Sequence, residues 1–436
     1  MKGGPYLMKK FLSLALVAIM LLSMANLAIA ENNPYAVTEP ITIQWWHAHE
    51  EQFNEYINYM VEQFKAVNPL ITVEPVYIGG YADINTQLIA AVASGEVPAL
   101  ATANTSYPAA YGAAGITEVL DPYIAATGYD VADFGEGLIA STSFNGQQIA
   151  LPYLISTQVM YYDKTAADAE GIEIPKTFDE LDAFLQKATV FNADGTTKRY
   201  GTVFAGWDYW YFETLYMNNG VEVITEDGTN TDVNGEKALY ITSRIKEWID
   251  KGYAYFAYGT NASSTMRQLF WDQGTFSVFH TSSLYDTYVQ NAKFEVGMSW
   301  LPGGNDGESF KSEVGGAAIL IPAKASQAQK NAAWAFLTFM TTPEMNLYWA
   351  DKTGYFPTRQ SVLATDAVKE YLERKPVMGP IMEMSGWINP RNQHPAYNTI
   401  ANLWRDALAK VFVEGAPAQD ALNQVAMEIV ETLEDQ

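Results

Sequence analysis

The chain has 436 residues, a formal net charge of −24 and no cysteine. Two lobes or one large α/β unit are expected at this length, and a disulfide scaffold, an iron–sulfur cluster, a cysteine nucleophile and a cysteine-ligated zinc are excluded. The 50 Asp and Glu against 26 Lys and Arg argue against a nucleic-acid or anionic-membrane binder, whereas 13% aromatic residues, with 11 Trp and 27 Tyr, form a rich supply that asks for a use.

Lys9 and Lys10 precede an apolar run from Phe11 to Leu22, and small residues follow down to Ala28-Ile29-Ala30. That order predicts a secretory signal peptide over residues 1–30, with Met8 a candidate for the true start. The run is short for a membrane span. Its removal takes away Lys2, Lys9 and Lys10 and no acid, leaving a still more acidic chain. Without a cysteine there is no lipid anchor, so a free periplasmic protein is expected.

Residues 31–40 read as a loose leader. Ile41, Ile43 and Trp45 then alternate with polar residues, the pattern of a strand. Phe53, Ile57, Met60, Val61, Phe64 and Val67 recur at helical spacing until Asn68-Pro69 stops them. Ile71, Val73 and Val76 predict a second strand, Ile84, Leu88 and Val92 a second helix closed by Gly95, and residues 98–103 a buried third strand. Strand–helix–strand–helix–strand is the order of a parallel, doubly wound α/β sheet. Ligands of such sheets sit at the carboxyl ends of strands, where Trp46-His47, Gly80-Tyr81 and Asn104-Thr105 fall.

Farther along, Thr177 and Glu180 read as a capping box, and residues 227–235 as a polar turn cluster. Residues 275–279 and 314–321 return to strand character. Thr342-Pro343 opens a helix, and Leu422, Val425, Ile429 and Leu433 mark an amphipathic helix near the end.

Several stretches together carry a resemblance. They are Trp46-His47, Phe64-Lys65-Ala66-Val67-Asn68-Pro69, Leu151-Pro152-Tyr153 running to Val159-Met160-Tyr161-Tyr162-Asp163-Lys164, Gly206-Trp207-Asp208-Tyr209-Trp210, Gly315-Gly316-Ala317-Ala318 and Lys352-Thr353-Gly354-Tyr355-Phe356-Pro357. In this order they resemble the family 1 extracellular solute-binding proteins of ATP-driven (ABC) importers, within them the carbohydrate and glycerol-3-phosphate binders.

The resemblance implies the two-lobed periplasmic binding protein fold of type II: α/β, with doubly wound sheets, an interlobe cleft and three hinge crossings. It maps an N-terminal lobe to residues 31–153 plus 282–316 and a C-terminal lobe to 158–278 plus 319–436. The hinges would fall near Ser156, Phe279 and Ala317. Lobes closing on a ligand would be a hinge motion.

Cleft positions carry over one at a time: Tyr81, Ser156, Trp207, Trp210, Ser282, Gly316 and Tyr355. Two positions depart from the glycerol-3-phosphate pattern. Thr105 stands where a glutamate grips the glycerol, and Ala401 where an arginine meets the phosphate. The stretch Asn389-Pro390-Arg391 to Pro395-Ala396-Tyr397 looks more like the Pro-Arg…Pro-x-Tyr segment of sugar binders, which makes Arg391 a candidate. His47 adds a candidate hydrogen bond. A phosphate in a closed cleft needs charge-assisted donors, so a neutral sugar is the expected ligand and a glycerophosphate the alternative.

Other readings are weaker. His47-x-His49-Glu50 lacks a third histidine for a metal. Asn230-x-Asp232-x-Asn234-Gly235 has Ile241 where a calcium loop places a bidentate Glu. Gly315-Gly316 lacks the lysine and spacing of a phosphate loop. No G-x-S-x-G marks a hydrolase, and carboxylates are too numerous to point to a glycosidase. The sequence therefore predicts no enzyme, no cofactor and no metal. It predicts a monomer that takes a sugar or glycerophosphate and meets ABC permease subunits, or a sensor, in the membrane.

Overall fold

A computed structural model describes residues 33–49, 51–383 and 388–435. The expected signal peptide and Glu50 lie outside the described residues.

The main strands are β1 (Ile41–His47), β2 (Ile71–Tyr77), β3 (Leu100–Asn104), β4 (Leu151–Ser156) and β5 (Gln158–Asp163). They continue with β6 (Thr197–Ala205), β7 (Ala254–Ala257), β8 (Thr275–Thr281), β9 (Val296–Trp300) and β10 (Gly315–Leu320). One sheet has the order β2-β1-β3-β10-β4 and the other β7-β6-β8-β5-β9. In the first, β1 is parallel to β2 and β3, and β10 runs antiparallel to β3 and β4. In the second, β6 is parallel to β7 and β8, and β5 is antiparallel to β8 and β9.

Local physics explains the first lobe. Ile43, Trp45 and His47 alternate inward along β1, the period-two face of a half-buried strand. The helix Asn54–Val67 turns Ile57, Met60 and Phe64 onto the same core. The helix Tyr81–Ser94 ends at Gly95, whose φ of 82° is the left-handed cap that glycine tolerates. The predicted start at Thr342-Pro343 is also found: Thr342 Oγ1 accepts the Met345 N–H at 3.4 Å. Thr177 and Glu180 exchange the reciprocal bonds of a capping box at 3.4 Å each. Thr177 itself bridges to Gly303 in extended backbone, however, so a turn precedes the helix Glu180–Ala188.

Two apolar cores separate the lobes. Ile43, Trp45, Phe64, Leu154, Ile319 and Trp334 belong to one, and Val159, Phe204, Trp248, Phe279, Trp404 and Ile429 to the other. The lobe boundaries differ from the sequence expectation. Residues 282–313 do not return to the first lobe, because β9 is hydrogen-bonded to β5 from Val296↔Asp163 to Trp300↔Val159. Nor does everything after residue 319 join the second lobe. Trp334, Phe336 and Leu337 on the helix Gln327–Met340, and Trp349 on the helix Pro343–Lys352, fill the first core.

The chain therefore crosses at Thr157 between β4 and β5, and at Val314 ahead of β10. It crosses again between Ser361, whose N–H donates to Asp133 at 2.7 Å, and Tyr371 in the second core. Phe279 lies inside β8 and Ala317 inside β10. Neither is a crossing, since ladder pairing holds each within a sheet.

Candidate functional site

The topology brings most of the sequence-predicted residues to one edge. His47 ends β1, Tyr81 opens the helix after β2, and Thr105 follows β3. Ser156 ends β4, Trp207 follows β6 and Ser282 follows β8. The parallel strands of each sheet point their carboxyl ends the same way, and in such sheets ligands lie in the crevice beyond those ends.

The second lobe supplies an aromatic wall. The Trp207 ring meets Tyr211 and His280 edge-on, with centroids 5.3 and 5.6 Å apart, and Trp210 meets Tyr211 at 5.1 Å. Trp210 is held from three sides. Its N–H donates to Asp208 Oδ1 at 3.0 Å, and its carbonyl accepts from Gln158 Nε2 at 2.8 Å. Its indole lies on the backbone of Gly315, where a Cβ would stand 2.3 Å from the ring. The fourth contact is Arg391, whose guanidinium lies over the indole at 5.1 Å from the centroid. Both tryptophans thus cluster with Tyr211, the residue that directly follows Trp210.

Tyr355 packs with Tyr81 on the first core, and its phenol faces Tyr81 and Ser283, which lies beyond β8. Burial pushes the Tyr355, Tyr81 and Tyr153 hydroxyls up, so all three stay protonated donors at neutral pH. The Tyr153 hydroxyl and the Trp210 indole N–H are buried and have no partner among the described residues.

Several predicted site residues are engaged at the crossings. The Ser282 hydroxyl accepts the Thr157 N–H at 3.2 Å, and the Ser282 N–H donates to the Thr157 carbonyl at 2.9 Å. Thr105, fully buried, donates to the Val314 carbonyl at 3.2 Å. Ser156 is buried opposite Gly315 in the β4–β10 ladder. Gly316 has φ 101° and passes so close to the Leu154 carbonyl that a Cβ would stand 1.9 Å from it. Its glycine is required by backbone packing.

Arg391 is 5% exposed and turned inward. Its Nε donates to the same Val314 carbonyl at 2.9 Å, and one terminal nitrogen donates to the Tyr397 hydroxyl at 3.3 Å. Tyr397 in turn donates to Glu213, with Glu313 at 3.5 Å. Burial beside Glu213 holds the Glu313 carboxyl well above the usual carboxylate range. This buried pair went unnoticed in the sequence; Glu213 and Glu313 are far apart along the chain and neither sits in a motif. His47 packs with Trp45, His49 and Tyr77, and its Nδ1 accepts the His49 N–H at 3.2 Å. Burial lowers its pKa to about 4, so it is neutral at pH 7. A groove of about 700 Å³ elsewhere on the first lobe, lined by Tyr35, Val67, Trp334 and Phe339, shares none of these site residues.

A profile of the family described as "Bacterial extracellular solute-binding protein" matches residues 59–376. Among curated proteins, the sn-glycerol-3-phosphate-binding periplasmic protein UgpB of Yersinia pseudotuberculosis is 26% identical over 367 residues, covering 79% of each chain. Among solved structures, UgpB of Mycobacterium tuberculosis in complex with glycerophosphocholine superimposes with a TM-score of 0.81 at 21% identity, over 92% of this chain and 99% of that one. The substrate-binding protein Lmo0181 of Listeria monocytogenes in complex with cycloalternan gives a TM-score of 0.79 at 20% identity, over 91% and 100%. These structures share the two-lobed fold.

Proposed function

The chain belongs to the bacterial extracellular solute-binding proteins, and we propose that it captures a neutral carbohydrate between its lobes and delivers it to the permease of an ABC importer. The observation that carries the sugar reading is the wall of Trp207, Trp210 and Tyr211 together with an arginine committed to a backbone carbonyl and a phenol. A sugar ring offers apolar C–H faces to such a wall and hydroxyl edges to donors such as Tyr81, Tyr355 and Ser283.

The second reading, a glycerophosphate or glycerophosphodiester, is favoured by the likeness to the two UgpB proteins, whose names or complexes carry those ligands. Against it, a phosphate held away from water wants a free cationic donor, and Arg391 points its bonds elsewhere. In this proposal the protein works as a monomer in the periplasm and releases its ligand unchanged. No helix of the described residues is long and apolar enough to cross a membrane.

Native mass spectrometry of freshly purified protein, followed by calorimetry with mono- and oligosaccharides, glycerol-3-phosphate and glycerophosphocholine, tests the reading. Binding of a sugar supports it. Binding of a glycerophosphate and of no sugar overturns it, and product formed from an oligosaccharide would restore an enzyme.

A further inference from the structure

We propose that Arg391 is a positioning residue, a buried platform that holds Trp210 against the cleft and keeps its positive charge away from the ligand. The inference rests on the reading above that Trp210 faces the ligand.

Four observations support it. The guanidinium lies over the indole, 5.1 Å from the ring centroid, in the geometry of a cation–π contact. Its Nε is fixed by the Val314 carbonyl at the crossing and a second nitrogen by Tyr397. The benzo edge of the same indole abuts Gly315, where a Cβ would stand 2.3 Å from the ring, so Trp210 contacts both a planar cation and a bare backbone. The charge itself is answered within the protein. Glu213, from the helix Trp210–Asn218, and Glu313, just before the crossing, both lie 5% exposed around Tyr397 and Arg391.

Glu213 and Glu313 both lie against the Tyr397 hydroxyl, and burial beside Glu213 holds the Glu313 carboxyl well above the usual carboxylate range. Asp208, Tyr209, Tyr211, Tyr216 and Tyr397 are among the other titratable groups facing the cluster. With these acids in its field, its Nε on the Val314 carbonyl and a terminal nitrogen on Tyr397, Arg391 is engaged within the protein rather than held out to a phosphate. A planar guanidinium is also what the site needs; a lysine would keep the charge but lose both the stacking surface and the fork.

The test is a double-mutant cycle in the full-length mature protein, with maltotriose and glycerol-3-phosphate as calorimetric probes and the Trp210 indole ¹H–¹⁵N resonance as a ligand-independent readout. Arg391→Met is expected to shift the Trp210 resonance and to weaken maltotriose binding about tenfold. In a Trp210→Ala background the same change should cost less than about twofold. Arg391→Lys should fail to restore either readout. Because Arg391→Met leaves two acids buried, Arg391→Met/Glu313→Gln is the control for folding, and it should show the same Trp210 shift. An unmoved Trp210 resonance in both variants overturns the proposal, as does full additivity of the two losses. Selective loss of glycerol-3-phosphate binding in Arg391→Met would make the arginine a direct ligand contact and also overturns it. If Arg391→Met moves the resonance while Trp210→Ala leaves probe affinity unchanged, the positioning holds and the placement of Trp210 at the ligand fails.

Discussion

Thr105 and Arg391, from opposite lobes, donate to one and the same carbonyl, that of Val314, at 3.2 and 2.9 Å. Val314 is the residue at which the chain passes back into the first sheet, so the two side chains grip the crossing from both sides. Thr105→Val keeps the shape and removes one donor. Since a second donor remains on the carbonyl, the expected loss is about 1 kcal/mol of unfolding stability. A urea denaturation curve with an unchanged midpoint would show that this bond contributes nothing.

Gly315, having no side chain, lets the edge of the Trp210 indole approach β10 closely. A methyl group there would stand 2.3 Å from the ring and 2.8 Å from Ser156 Oγ, closer than atoms pack. Gly315→Ala should therefore displace Trp210 and weaken binding of the native ligand at least about tenfold, a change worth about 1.4 kcal/mol. Calorimetry on the folded variant checks this; wild-type affinity would place Trp210 outside the binding surface.

Trp207 is half-buried, with its ring set edge-on to Tyr211 and His280. Trp207→Ala is expected to cost about 1–3 kcal/mol of affinity, as other buried aromatic contacts do. The melting temperature of the ligand-free protein should move far less than that of the saturated one. Equal shifts in both would assign Trp207 to the core of the lobe.

The Tyr355 hydroxyl faces Tyr81 on the first lobe and Ser283 beyond β8. Tyr355→Phe preserves the ring and removes that hydroxyl. Small-angle scattering of the ligand-free variant should report a more open particle than wild type. An identical radius of gyration would mean that the hydroxyl serves one lobe only.

The pH dependence has two opposing parts. Glu313 is raised above the ordinary carboxylate pKa, so the folded chain holds a proton that the unfolded chain has lost. Stability from this group is complete below the ordinary carboxylate pKa and drains away as pH rises through the raised one. His47 is lowered to about 4, and His49 and His280 to about 3, by burial. Their contribution is complete above the ordinary histidine pKa of 6.5 and is lost as pH falls through those values. Melting temperatures of Glu313→Gln and wild type from pH about 5 to 8 separate the parts: the variant should gain on wild type as pH rises. A constant difference across the range would remove Glu313 from the account.

Much of this protein follows from short stretches of sequence. The alternation of Ile43 and Trp45, the helical spacing from Ile57 to Phe64 and the stop at Gly95 each depend on a few neighbouring residues, so the β-α-β-α-β start and its strand-end loops were readable. The aromatic candidates Tyr81, Trp207, Trp210 and Tyr355 come instead from the resemblance to the solute-binding proteins, position by position. What a side chain does after it arrives depends on partners from distant segments, and only the folded chain brings these together. Residues 282–313 went to the second lobe because β5 offered β9 an open edge. Thr105 and Ser282 found backbone groups of the crossings. Arg391, a plausible ligand contact in its Pro-Arg motif, is drawn inward by Glu213 and Glu313, two buried acids whose desolvation demands a cation nearby. Local periodicity determined where the loops would meet; the cost of burying charge and leaving donors unpaired decided which residues could still face a ligand.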